Sequence, residues 1–410
     1  MPAKSKLLIA CDYWHPVTSA NLVCVEAIAP LLAEKYELVF VTADPEAPVY
    51  RGIEGRCIDD LKIKTQLDKY RDRPVALRAI KLANKFRVAA YLPRFPMRSM
   101  KMVGDYEHAI RGLLRQGGFA GVLAICYPGE CVEACAKLRR EFPGIFFVAY
   151  FLDEVAVGMY RKGKLVRGIS SRAAANFEKR AIAQFDGALF LAASKKLVEK
   201  NHHSRLAKVA FVDVPFMRTD KVTFHNLSIA ERPLSILYAG TLGDPDRNPL
   251  PFIEAMRSLC EAGRIRLRFA GDSAGLLDGV DGVDNLGILL PGACDALMAK
   301  TDVLLSIGNR DPNLIPSKLF KYISLGKPII HLKRGEGDSC LPYLEKYPLG
   351  CIVNDSDAHA STLVREFLEG LPGKEGLVIP LKDLYPMAYP EYTVAAIETI
   401  AFNHDSLEQE

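Results

Sequence analysis

Residues 311–332 read DPNLIPSKLFKYISLGKPIIHL. The segment starts as a polar, proline-bearing loop, turns helical near Pro316 and Ser317, stops at Gly326 and re-emerges as an apolar strand over 327–332. Proline suits the first helical turn, where its missing N–H has no intrahelical partner to lose, and glycine just past a helix takes the left-handed conformation that ends it. Loop, helix and buried strand in this order form one repeat of a parallel α/β sheet. The free amides and positive dipole end at such a helix start suit an anion. Lys318 falls in the same first turn, where a cation ordinarily opposes the dipole, and a phosphate between the two would reconcile them. A solvated lysine on an ordinary helix is the other reading.

The same alternation extends on both sides. Upstream strands are expected at 6–14, 36–43, 121–128, 145–153, 187–193 and 209–216, and in the second half at 234–240, 265–271, 283–289, 302–308, 327–332 and 351–355. Runs such as GALFLAA are continuously apolar rather than alternating, as strands covered by helices on both faces must be. A chain of 410 residues outgrows one hydrophobic core. The expected fold is therefore α/β, with two doubly wound Rossmann-like domains facing each other across a cleft. The polar stretch MRTDKVTFHNLSIAERP, 217–233, ends in proline before a fresh strand and marks a linker. This places an N-terminal domain at 1–220, a C-terminal domain at 221–388, and a terminal helix within 389–410. Val394, Ile397 and Ile400 recur there at helical spacing, and the helix is expected to pack across the domain junction.

Composition narrows the function classes. With 49% hydrophobic and 25% charged residues the chain is an ordinary globular protein rather than a disordered or fibrous one. Its ten cysteines lie scattered in apolar runs without a C-x-x-C pair, so they read as reduced core thiols, and no metal site is expected. The basic start MPAKSKLLIACDYW breaks at Asp12 and reads as a first strand, not a signal peptide. No uncharged apolar run reaches the roughly 18 residues of a membrane span, and a cytoplasmic location is expected.

A second informative segment is YAGTLGDPDRNPLPFIEAM, 238–256. A strand ends at Ala239-Gly240, a loop runs from Thr241 to Arg247, and a helix follows with Phe252, Met256 and Leu259 on its buried face. This is a strand–loop–helix unit able to face a phosphate, and Arg247 and Lys318 are expected to converge on one pair of phosphates. An arginine in a surface loop is otherwise simply solvated.

Together these segments resemble the family 4 retaining glycosyltransferases of GT-B architecture. The bacterial members carry a P-S-K-L-[FY]-x-Y signature followed by G-[KR]-P, matched here by Pro316, Ser317, Lys318, Leu319, Phe320, Tyr322, Gly326, Lys327 and Pro328. The resemblance implies that a nucleotide-diphosphate sugar binds the C-terminal domain. Its sugar would pass to a saccharide or lipid-linked acceptor with retention of configuration, without a metal or other cofactor, in surface polysaccharide or glycolipid synthesis. It implies donor contacts from Thr241, Arg247, Pro316, Ser317 and Lys318. Where the family commonly has two acids eight positions apart, this chain has Asn313 and Lys321. Asn313 can still bond sugar hydroxyls, whereas Lys321 cannot accept from a ribose diol but can reach a phosphate.

On the N-terminal side the loop HPVTSANL, 15–22, stands where the family is often glycine-rich. His15, Ser19 and Asn21 are acceptor-side candidates, with helix capping the alternative for Ser19 and Asn21. Asp153, ending a strand, is the catalytic candidate, with capping again the alternative, and Glu130 is a further acceptor-side candidate. Residues 71–102 hold nine Lys or Arg against the single acid Asp72. Arg78, Lys81 and Lys85 share a helix face there, which suits an anionic membrane surface; a solvated basic face is the alternative. No recognition module for nucleic acid accompanies the patch. Two other functions stay open. One is a non-catalytic nucleotide-sugar binder, which Asn313 and Lys321 favour. The other is a sugar-nucleotide epimerase of the same fold, which needs acid–base carboxylates or histidines.

Overall fold

The computed structural model describes residues 4–11, 20–42, 55–57, 70, 73–126, 129–152, 155, 164–225, 232–243, 247–354 and 359–408. The chain divides into two compact units, Met1–Asp213 with Pro390–Glu410, and Val214–Tyr389.

In the first unit the elements run β1 (Lys6–Ala10), α1 (Ala20–Lys35), β2 (Glu37–Thr42), β3 (Gly55–Cys57), α2 (Pro74–Tyr91), α3 (Met100–Leu114), β4 (Phe119–Cys126), α4 (Gly129–Leu138), β5 (Phe146–Phe151), α5 (Lys164–Gln184), β6 (Gly187–Leu191), α6 (Lys195–His202) and β7 (Val209–Val212). The seven strands form one parallel sheet in the order β3-β2-β1-β4-β5-β6-β7. Leu7, Leu8, Ile9 and Ala10 of β1 have no exposed surface, which a strand reaches only when both sheet faces are covered.

The second unit contains β8 (Val222–Thr223), β9 (Leu234–Ala239), α7 (Leu250–Glu261), β10 (Ile265–Ala270), β11 (Val283–Asn285), α8 (Pro291–Lys300), β12 (Val303–Ile307), α9 (Lys318–Ser324), β13 (Ile329–Lys333), β14 (Gly350–Asn354), α10 (Ala360–Gly370) and β15 (Val378–Ile379). Its main sheet is parallel with the order β11-β10-β9-β12-β13-β14. Both units are thus doubly wound and Rossmann-like, the expected fold class. A final helix, α11 (Pro390–Glu408), packs against α1 and strands β5 to β7 of the first unit. Ile400 lies over Gly187, where an added Cβ would fall 2.6 Å from Ile400 Cδ1.

All twelve expected strands form, with three differences. The three-residue β3 and the antiparallel β8–β15 pair escape the sequence reading, being too short to carry a pattern. The strand expected at 283–289 stops at Asn285, because Gly287 takes φ +62° and breaks the extended path. The helix after Pro316 spans only the seven residues Lys318–Ser324 before Gly326, at φ +65°, ends it. The ends of β9 and β10 meet unusually closely. Gly271 has φ +138°, and a Cβ there would lie 2.1 Å from the Gly240 carbonyl oxygen. Cys131 and Cys135 are both buried on α4, as the core-thiol reading expects.

Candidate functional site

In the second sheet β9 and β12 are neighbours although β10 and β11 intervene in sequence, so strand order reverses between them. Open α/β sheets bind ligands at this crevice, beyond the carboxyl ends of the two strands. A cavity of about 170 Å³ lies there, walled by Tyr238–Thr241 at the end of β9, Arg247, Leu305–Ile307 of β12, and the 316–319 turn with Tyr322. Five sequence candidates, Thr241, Arg247, Pro316, Ser317 and Lys318, are therefore brought together. No carboxylate is among the described residues lining it.

Arg247 is placed by backbone pairing. Its N–H donates to the Gly243 carbonyl at 2.6 Å and its carbonyl accepts from the Gly243 N–H at 3.2 Å, closing the base of the loop. Its Nη2 donates to Asn309 Oδ1 at 3.2 Å, and Asn309 Nδ2 in turn donates to the Leu314 carbonyl at 2.8 Å. Ser339 Oγ donates to the same carbonyl at 2.8 Å. The loop before α9 is thus tied from two sides, and one of those ties also aims the arginine. Tyr322 fastens α9 to β9. Its hydroxyl accepts from the Ala239 N–H at 3.1 Å and donates toward the Ala239 carbonyl at 3.3 Å.

Lys318 keeps exposed surface at the cavity mouth, yet the protein around it displaces enough water to matter. Desolvation, reinforced by the like charges of Lys321 and Arg247 and opposed by Cys294 and Asp295, holds its ammonium below the ordinary lysine value. Cations brought together this way gain most from an anion placed between them. With α9 only seven residues long, this positive potential comes mainly from side chains rather than from the helix dipole expected from sequence.

The structure places the remaining candidates elsewhere. Lys321 Nζ donates to Asp295 Oδ1 at 2.5 Å in a partly exposed pair, and neither residue lines the cavity. Asn313 donates through both its backbone and its side-chain nitrogen to Asp311 Oδ1, each at 3.1 Å, and does not line the cavity. Glu130 is 1% exposed, and its Oε1 accepts the amide protons of Arg98 and, at 2.9 Å, of Ser99. Burial pushes its carboxyl up, against these amide bonds. The side chain is spent on anchoring the start of α3. Asn21 is half-buried in the first turn of α1. His15, Ser19 and Asp153 lie outside the described residues.

The sequence reading missed Asn309, Ser306 and the fastening role of Tyr322. Tyr322 sat inside the quoted signature, but nothing local marks Asn309, whose partners are 62 and 5 residues away.

No family model matches the sequence, and no curated protein matches it. Among solved structures the chain is similar to the lipopolysaccharide outer core galactosyltransferase WaaB in its apo form, with TM-score 0.55, 13% identity, and coverage of 96% of this chain and 99% of that one. It is also similar to an alpha,alpha-trehalose-phosphate synthase (UDP-forming) from Burkholderia vietnamiensis, with TM-score 0.59, 12% identity, and coverage of 98% and 100%. A third is the UDP-GlcNAc 2-epimerase from Methanocaldococcus jannaschii, with TM-score 0.51, 8% identity, and coverage of 96% and 99%.

The fold is GT-B. At such identities a shared GT-B fold does not select a reaction, since the three similar structures already include transferases and an epimerase. Within this GT-B chain the choice rests on the cavity between β9 and β12 and the charges gathered there.

Proposed function

We propose that the chain is a nucleotide-sugar glycosyltransferase whose second unit holds the diphosphate of the donor between Arg247 and Lys318. The observation that carries this reading is the meeting of two cations, from stretches 71 residues apart, at the switch-point crevice, with no carboxylate among the described residues of the wall. The guanidinium fork suits paired phosphate oxygens and the lysine supplies a point charge. Thr241, Pro316 and Ser317 complete the contact. In the reaction the bond between the anomeric carbon and the diphosphate breaks, and its electron pair leaves with the diphosphate. The acceptor oxygen bonds to the same carbon, with retention, and gives up its proton. Fixed positive charge at the departing phosphate is the main contribution required of the protein, and no cofactor is required by this scheme. The acceptor is a saccharide or lipid-linked saccharide, with Asp153 the residue assigned to orient the reacting groups and the 1–220 domain its platform.

A non-catalytic nucleotide-sugar binder is the second reading, favoured because Asn313 and Lys321 are tied to Asp311 and Asp295 where the resembled family carries acids. One pair of measurements tests both. Thermal shift with UDP, GDP, ADP and CDP is expected to show stabilisation by at least one, and incubation with the matching sugar nucleotides and a saccharide acceptor is expected to release diphosphate. Binding without release would select the non-catalytic reading; no stabilisation by any would reject both.

With a lipid-linked acceptor, the proposal has the enzyme work at the inner face of a membrane. Helix α2 supports this: Val75, Leu82 and Phe86 are 81%, 55% and 69% exposed on one stripe, with Arg78 and Lys85 along its flank and Lys81 beyond them. No helix among the described residues is long and apolar enough to cross a membrane. Each basic residue near an anionic bilayer contributes about 1 kcal/mol, so neutralising Arg78, Lys81 and Lys85 is expected to weaken co-sedimentation with phosphatidylglycerol vesicles by about a hundredfold. Equal binding by the triple variant would remove the membrane from the proposal.

A further inference from the structure

Behind the cavity wall lies a buried line of polar groups that the diphosphate reading leaves unused. Ser306 of β12 and His331 of β13 stand opposite each other in parallel register, so their side chains share one face. His331 Nδ1 is 3.1 Å from Ser306 Oγ, and His331 Nε2 is 3.1 Å from Asp338 Oδ2. The His331 and Asp338 side chains have no exposed surface, while Ser306 belongs to the cavity wall. Asp338 also accepts from the Arg334 N–H at 3.1 Å and the Cys340 N–H at 3.0 Å. Gly308 makes room for it, since a Cβ at that position would fall 1.8 Å from Asp338 Oδ2.

This arrangement fixes the direction of each bond. Burial resists ionisation of Asp338, but the hydrogen bond and charge of His331 and the two amides outweigh it and hold the carboxyl below its ordinary value. A carboxylate only accepts, so Nε2 carries the proton. In the neutral imidazole Nδ1 must then accept from the Ser306 hydroxyl, which leaves the Ser306 oxygen only lone pairs for any other partner. In the imidazolium Nδ1–H donates to Ser306 Oγ, which frees the hydroxyl proton to point into the cavity. An anion there stabilises the second state.

We propose that Ser306 is a phosphate-contacting residue of this cavity, and that His331 and Asp338 are positioning residues that turn its hydroxyl into a donor as His331 takes one proton from solvent on ligand binding. The proposal rests on reading the cavity as a diphosphate site. Around His331 stand Asp338 and Cys340 from the segment after β13, Ser306 from β12, and the apolar Ile352 at the paired position of β14, and the Arg247 guanidinium is close enough to act on Cys340, so it opposes the imidazolium until an anion offsets it. Burial first, and then Asp338, push the Cys340 thiol well up, so it stays protonated and carries no charge. His331, Asp338 and Cys340 have ligand atoms within 4.8 Å of one another, but both imidazole nitrogens and both Asp338 oxygens already have hydrogen-bond partners. Hydrogen bonding therefore accounts for the cluster without a metal.

Calorimetric titration of the full chain with inorganic pyrophosphate, in buffers of different ionisation enthalpy at one pH, counts the protons exchanged. Wild type is expected to take up close to one proton more than Ser306→Ala, a comparison in which the ligand's own protonation cancels. Ser306→Ala is expected to bind about tenfold more weakly, the scale of one hydrogen bond to a charged group. Ser306→Thr, which keeps the hydroxyl, is expected to recover most of the uptake, and His331→Asn to lose it. Equal proton counts for wild type and Ser306→Ala, with binding intact, would overturn the relay and leave the Arg247–Lys318 site standing. Absence of pyrophosphate binding by the wild type would overturn both.

Discussion

Replacing Arg247 or Lys318 by alanine is expected to weaken nucleoside diphosphate binding by about ten- to a hundredfold each, since a hydrogen bond to a charged group contributes roughly 1.5–3 kcal/mol. The two cations share a cavity, so their losses are not expected to add simply. Arg247→Lys is expected to recover only part of the loss. The Asn309 carbonyl orients a planar fork that an ammonium cannot reproduce. Alkaline pH has a defined sign. The Lys318 ammonium is held below the ordinary lysine value by desolvation and by its cationic neighbours. Its contribution to anion binding is therefore present at lower pH and lost as pH rises through that lowered value, earlier than for a free lysine. Lys318→Ala should flatten this limb of the affinity profile. Titration calorimetry of both variants across pH measures all of these effects; wild-type affinity in both would show that the diphosphate binds elsewhere.

Glu178→Ala is expected to give the largest change in stability. Glu178 of α5 and His202 of α6 are 1% and 3% exposed, with His202 Nε2 3.0 Å from Glu178 Oε2. Glu178 Oε1 and His202 Nδ1 have no hydrogen-bond partner. Removing one member of such a pair strands the other in the core, at a cost of about 3–5 kcal/mol. For a unit of this size each kcal/mol lowers the melting temperature by about 2–4 °C, so a fall of roughly 6–20 °C is expected. Replacing both residues by leucine should restore much of it, because no polar atom is then left without a partner. Thermal unfolding followed by circular dichroism measures both variants, and an unchanged Glu178→Ala transition would mean that the pair contributes nothing net.

The candidates that the structure brings to the cavity and those it does not differ in one respect. Arg247 lies just before the start of α7 and Lys318 opens α9, so the local pattern also carries their placement. Glu130 likewise follows a strand, but its carboxylate turns to the amides of Arg98 and Ser99, about thirty residues upstream. Lys321 turns to Asp295, 26 residues upstream on α8. A charged side chain takes the nearest partner in space, and that partner is invisible to local pattern.

Sequence alone determined the longer strands, the helices between them and the doubly wound class of both units, because apolar runs and glycine or proline stops act within a few residues of themselves. It also marked 238–256 and 311–332 as the segments worth watching. Tertiary structure decided where strand order reverses, and hence that β9 and β12 open a cavity between those two segments. It decided as well that Asn309 aims Arg247, that Gly308 admits Asp338, and that Ser306 and His331 meet in register. Each of these depends on strand pairing and on packing between residues far apart in the chain, which no local pattern encodes.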